Sequence, residues 1–277
     1  MEIGIFAKTF VRPTLGETLD AVVSRGLRCV QFNLACAGLP AMPERIAGAG
    51  AIRRELAARN LAMAAVSGTF NMIHPDRSTR RGGLERLRTL AAACGEMGAP
   101  VITLCTGTRD PEDMWRRHPD NDRPEAWRDL VASMKAAVRA AEEHGVTLAF
   151  EPEVANVVDT AAKGRRLLDE IGSPRLKVVM DAANLFHAGQ LPRMREVLDE
   201  AFGLLGGDIR LAHAKDLGRD GEAGHEAAGT GLLDYDHYLG LLRACGFDGP
   251  LILHGLAEEQ VDRSVAFLRS KLARLPA

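Results

Sequence analysis

Cysteine is scarce in this chain and poorly placed for shared chemistry. Its five residues, Cys29, Cys36, Cys94, Cys105 and Cys245, are scattered, odd in number and contain no C-x-x-C pair. That argues against a disulfide framework and against a thiolate zinc site, and fits a reducing compartment. An excess of one charge is also missing: 35 basic residues face 37 acidic ones, for a formal net charge of −2. Such a balance gives no electrostatic footprint for nucleic acid or an anionic membrane. The basic run "RSTRRGG" around Arg77 to Arg81 is local and reads as a solvated helix start. No apolar stretch approaches the ~20 residues of a membrane span. The start, "MEIGIFAKTF", has neither a basic segment nor a long apolar one of the kind that leads secretion, so the expected location is the cytoplasm. No G-x-G-x-x-G or P-loop stands out, which weakens a dinucleotide or nucleotide enzyme. No Pro- or Ser-rich linker divides the chain, so residues 1–277 read as one domain.

What the chain does contain is alternation. Apolar residues make up 46% and charged residues 26%, as in an ordinary globular protein. Short apolar runs such as "CVQFNL", "VITLCTG", "LKVVMD" and "PLILHG" are each followed by a longer amphipathic stretch. The short runs fit parallel strands buried on both faces, and the longer ones carry helical spacing. Gly26, Gly98, Gly145, Gly172 and Gly246 stand where helices should end. Strand alternating with helix implies a parallel sheet with right-handed crossovers, and eight such pairs suit an α/β fold of the (β/α)8 TIM barrel type. A doubly wound open sheet is the alternative.

In a barrel the active site lies at the carboxyl ends of the strands. The residues there are Glu151 from "LAFEPE", Asp181 from "VVMDAAN", His213 from "RLAHAKD" and His254 from "LILHG". Each follows several apolar residues, where an ionised group half withdrawn from water needs a partner. Taken singly, the carboxylates read as caps and the histidines as satisfied core residues. Four on successive strand ends, all able to bind a divalent cation, read as a metal site with Glu151 also a candidate base. Glu153, two residues beyond Glu151, is a substitute base or sugar-binding group, or else an exposed loop acid. Asn71 and His74 follow the third strand in "SGTFNMIHPD", and Trp115 lies in the long loop "CTGTRDPEDMWRRHPDND"; all three are candidate substrate contacts. His118 and His225 also fall in loops and are assigned no role. "GTGLL", Gly229 to Leu233, reads either as a phosphate-binding turn or as a plain glycine turn. Glu258 and Glu259 read as structural residues opening the last helix.

The motifs "EPE" at the fifth strand, "DAANLFHAG" after the sixth, "HAKD" at the seventh and "GTGLLDYDHYLGLLRACGFDGPLIL" into the eighth carry a resemblance. The chain resembles the sugar phosphate isomerase/epimerase superfamily with the xylose isomerase-like barrel, over most of its length and most strongly from Glu151 onward. The resemblance implies one divalent metal (Mn, Co, Fe, Zn or Mg) held at the ends of strands five to eight by a glutamate, an aspartate, a histidine and a second glutamate. Glu151, Asp181 and His213 match by type and place, whereas the fourth position is His254. Imidazole remains a sound fourth ligand and shifts preference from Mg²⁺ toward Mn²⁺, Fe²⁺, Co²⁺ or Zn²⁺. It also breaks the symmetric pair of glutamate bases that such epimerases are thought to use. Imidazole titrates near neutral pH, so His254 stays a candidate catalytic residue able to carry a proton, although a histidine bound to metal through one nitrogen is a poor base. The resemblance adds three substrate contacts: Asn184, where relatives often carry a histidine, Lys215 of "HAKD", and Arg219, six residues after His213.

The expected activity is therefore a metal-dependent isomerase or epimerase acting on a small keto-sugar, polyol or sugar acid through an enediolate. The alternatives are a dehydratase or lyase on the same metal site, and a sugar-binding barrel without turnover. The expected partner is a small carbohydrate-like substrate, without nucleic acid or membrane, and a homo-oligomer is left open. A DNA-repair endonuclease of similar fold needs a histidine-rich multi-zinc site and a basic groove, and neither is legible.

Overall fold

Eight strands, each followed by a helix, run through residues 1–275, the part of the chain that the computed structural model describes. The strands are β1 (Glu2–Phe6), β2 (Cys29–Phe32), β3 (Ala62–Ser67), β4 (Val101–Cys105), β5 (Thr147–Glu151), β6 (Leu176–Asp181), β7 (Ile209–Asp216) and β8 (Pro250–Leu253). The helices are α1 (Leu15–Ser24), α2 (Ala49–Ala57), α3 (Arg77–Met97), α4 (Pro124–His144), α5 (Ala161–Ile171), α6 (Met194–Leu205), α7 (Tyr235–Ala244) and α8 (Val261–Leu272). Every strand pairs in parallel with its neighbours in chain order, and β8 pairs with β1. The sheet is closed, so the architecture is the (β/α)8 barrel and the open doubly wound alternative falls. Glu226–Ala227 adds a two-residue antiparallel rung against the end of β7.

Local chemistry explains these elements. Strands β2 and β4 are buried along their whole length, as strands covered on both faces must be. Helix α1 opens with a capping box between Thr14 and Glu17, and the side chains of Asp76 and Thr160 cap α3 and α5. The basic run at Arg77 does begin α3. Gly98, Gly145 and Gly172 end their helices at positive φ, where a side chain would be strained. Glu258 and Glu259 lie in a 3-10 turn just before α8, and Glu258 is tied to Arg12.

The core has two compartments. A large one lies between sheet and helices, and a small one fills the barrel with Cys29, Val101, Ala149, Val179, Leu211 and Ile252 among its members. Side chains alternate across a strand, so the residue two places further on also faces inward. From those six residues that step gives Gln31, Thr103, Glu151, Asp181, His213 and His254. A register shift between Val178 and Val179 sets Val179 beside Leu211 and Asp181 beside His213. The polar cap on the apolar plug is thus a consequence of period two.

Candidate metal and substrate site

Asp181 is almost wholly buried, and its two oxygens do different work. Oδ1 accepts the Ala183 N–H at 3.1 Å, capping the turn after β6. Oδ2 lies 3.3 Å from His213 Nδ1 and 3.1 Å from Lys215 Nζ. The turn-cap reading of this residue holds in the geometry. Burial disfavours its ionised form, but Lys215 and His213 outweigh that and hold the carboxyl well below the usual range.

His213 points inward from β7 and is 2% exposed. Its Nδ1 also lies 3.5 Å from Glu151 Oε2, and its Nε2 lies 2.9 Å from Gln31 Oε1. Burial lowers the affinity of the ring for a proton, yet Glu151 and Asp181 raise it further, to a pKa of about 9. Glu151 is also held by Asn184, whose side-chain amide donates to Oε1 while its carbonyl accepts the Gly224 N–H at 3.0 Å. Asn184 therefore ties the end of β5 to the loop beyond β7.

His254 follows β8 directly. Its ring stacks on His213 at 4.7 Å and 10°, and on Phe6 at 5.2 Å and 17°. Burial, together with the positive His213 and Lys215 beside it, drives its pKa well below the ordinary imidazole value, so the ring is neutral. Its Nδ1 is buried without a hydrogen-bond partner. A buried ring nitrogen without a partner is costly, whether it carries a proton that needs an acceptor or a lone pair that needs a donor or a cation. One donor atom each from Asp181, His213 and His254 lie within 4.8 Å of one another. With Glu151 beside His213, two carboxylates and two imidazoles converge, and the donor set fits a divalent cation.

The cleft above this cluster measures about 570 Å³. Glu151, Glu153, Asn184, His213, Lys215 and His254 all line it, and Trp115, 54% exposed, stands at its rim. Glu153 is not an exposed loop acid: it is 5% exposed, and burial plus the neighbouring Glu151 push its pKa up to about 8. Lys215 is buried too; burial opposes its charge, and Asp181, Glu151 and Glu153 raise its pKa above the ordinary value regardless.

Other sequence candidates lie elsewhere. Asn71 braces the β4 loop, accepting the Thr108 N–H and donating to its carbonyl. His74 bonds Pro111 O and accepts the Asp76 N–H, and Arg219 is paired with Glu222 on the surface. None of the three lines the cleft. The amides of Gly229 and Leu233 in "GTGLL" are spent on the Asp216 carboxylate, so that turn cradles a side chain of its own. The sequence reading passed over Phe6, Lys8, Gln31 and Thr103, all of which line the cleft. Gln31 and Thr103 lie inside their apolar runs, "CVQF" and "VITLC", rather than at the end, so the signal that found the histidines did not mark them.

The profile of the xylose isomerase-like TIM barrel family matches residues 19–271. A D-tagatose 3-epimerase-like protein superposes with a TM-score of 0.79 at 14% identity, covering 99% of this chain and 97% of that one. The IOLI protein, crystallised with a zinc atom bound, gives 0.76 at 15%, covering both chains completely. The 3-keto-D-glucoside 4-epimerase YcjR from E. coli gives 0.71 at 17%, covering 98% and 99%. At such identities the likeness is one of fold. Among the described residues no helix is long and apolar enough to cross a membrane.

Proposed function

The chain belongs to the xylose isomerase-like TIM barrel family, and from that premise and the geometry above we propose that it is a metal-dependent isomerase or epimerase of a small keto-sugar, polyol or sugar acid. The observation that carries the reading is the convergence of donor atoms of Asp181, His213 and His254, with Glu151 beside His213. These four residues would hold the ion, with Mn, Co, Fe or Zn suited to the mixed donor set better than Mg. When bound, the ion polarises a substrate carbonyl and lowers the acidity barrier at the adjoining carbon. Glu151 removes that carbon's proton to give the enediolate, and Lys215, buried and charged, faces the negative oxygens that develop. Zinc in the IOLI structure and the epimerases among the similar structures above are consistent with this reading.

The distribution of bases favours a one-sided mechanism. Both cleft glutamates come from one side, Glu151 at the end of β5 and Glu153 two positions beyond it, whereas the residue after β8 contributes a neutral imidazole. A single carboxylate can return the proton to the neighbouring carbon, which is isomerisation. The same enediolate can instead expel a β-hydroxyl, so a dehydratase is the second reading and rests on this asymmetry.

The test is proton exchange. Protein reconstituted with Mn, Co or Zn is incubated in D2O with keto-sugars, polyols and sugar acids, followed by NMR and product mass. Deuterium entering one carbon without loss of water is expected for an isomerase, and loss of water identifies the dehydratase. Metal uptake without exchange or product on any substrate leaves a binding barrel. Failure to take up any divalent ion would sink the proposal.

A further inference from the structure

The imidazole of His213 can offer either nitrogen to an ion, and a neighbour outside the ligand set decides which. Its Nε2 faces Gln31 Oε1 at 2.9 Å, while Nδ1 faces Asp181 Oδ2 at 3.3 Å and Glu151 Oε2 at 3.5 Å. Gln31 is itself held: it is 3% exposed, projects inward from β2, and its amide nitrogen lies 3.4 Å from Thr103 Oγ1 on β4. With that hydroxyl taking the N–H, the carbonyl oxygen is left toward His213. We propose that Gln31 is the positioning residue that keeps a proton on His213 Nε2 and so presents Nδ1 to the ion, an inference that rests on His213 being a ligand.

The physical reasoning is short. A ligating imidazole has one nitrogen for the metal, and the hydrogen bond made by the other sets tautomer and ring orientation. A carbonyl oxygen accepts and cannot donate, so a Gln31 Oε1 directed at Nε2 is compatible only with a protonated Nε2. Asp181 and Glu151 are then on the side of the free lone pair. Rotating the ring to offer Nε2 would turn that proton's acceptor into a repulsive neighbour and strand Nδ1–H among groups meant for the cation. The stack of His254 on the His213 ring further restricts such a rotation.

The experiment uses the full chain labelled with ¹⁵N-histidine and loaded with ¹¹³Cd or Zn²⁺. The expected result is a ¹¹³Cd coupling to Nδ1 of His213, with a directly bonded proton on Nε2; His213→Asn assigns the signals. Gln31→Leu should weaken Zn²⁺ affinity by about 10- to 100-fold in calorimetry, and Gln31→Glu, which retains an acceptor, should restore it. Should the leucine variant not fold, the coupling in the unaltered protein and the glutamate variant still decide. A cadmium coupling to Nε2, or a well-folded Gln31→Leu with undiminished affinity, overturns the assignment of Gln31 alone. Absence of Cd²⁺ and Zn²⁺ binding in the unaltered protein overturns the metal site and this inference together.

Discussion

At the scale of single residues, the eighth-strand histidine has the largest consequence. His254 contributes a ring nitrogen to the donor cluster but no carboxylate. Both cleft glutamates stand at or just beyond the end of β5. Replacing His254→Glu would place a carboxylate across the mouth from them, and the expected outcome is a gain of C-epimer product relative to the unaltered enzyme, read by chiral chromatography. Glu153 gives the complementary test. It lines the cleft without belonging to the donor cluster, so Glu153→Gln should slow deuterium exchange by about 10²- to 10⁴-fold while metal content stays the same. A loss of metal in that variant would place Glu153 among the ligands instead. Much of this was legible in the sequence, because a charged or imidazole group closing an apolar run is costly unless it has a use. Its limits were equally physical: spacing cannot reveal that Glu153 is buried, or that Arg219 is neutralised by Glu222 three residues away.

At the scale of elements, the site depends on how helices grip the strand ends. Tyr238 of α7 is fully buried, and its hydroxyl lies 2.9 Å from His213 O and 3.1 Å from Met180 O. It bridges β7 and β6 at the level where Asp181 and His213 stand side by side. Tyr238→Phe keeps the packing but leaves those carbonyls short of a donor, at a cost of about 1–3 kcal/mol. The expected result is a lowered denaturant midpoint with an unchanged m-value, together with a measurable loss of metal affinity; stability lost without any change in affinity would confine Tyr238 to the scaffold. Sequence reading located α7 and β7 but not this bridge. A tyrosine at a helical core position looks the same whether its hydroxyl is bonded to one carbonyl or two. The long β4–α4 loop shows the same limit: its polar composition marked it as a binding loop, yet Asn71 and His74 turn out to brace its backbone while Trp115 reaches the cleft.

At the scale of the whole molecule, the barrel was the most legible feature, since eight repeats of one pattern leave few ways to bury eight apolar strands. Closure between β8 and β1 is a long-range fact that no local pattern contains. Closure also gathers charge: three acids and two cationic groups share the interior end of the barrel, and their titration links global stability to pH. His213 has its pKa raised from an ordinary 6.5 to about 9, and Glu153 from 4.5 to about 8. A raised pKa means that the folded state binds the proton more tightly than the unfolded one. The associated stability is fully present below the unfolded value and is lost as pH climbs through the folded value. For Glu153 that loss runs from about 4.5 to 8, and for His213 from about 6.5 to 9. Below about pH 6.5 the depressed pKa of His254 works the other way, adding stability as pH rises, so the metal-free protein should unfold at progressively lower temperature from about pH 6.5 to 9.5, by about 5 °C or more in total. Asp181, whose pKa is depressed, opposes this only in strong acid. A bound divalent ion replaces the proton on His213, so metal affinity should rise with pH over the same window and saturating Zn²⁺ should flatten or reverse the trend. Differential scanning calorimetry of stripped and zinc-loaded protein across that range measures both slopes. Identical slopes with and without zinc would show that the ion does not displace the His213 proton, and would remove that residue from the ligand set.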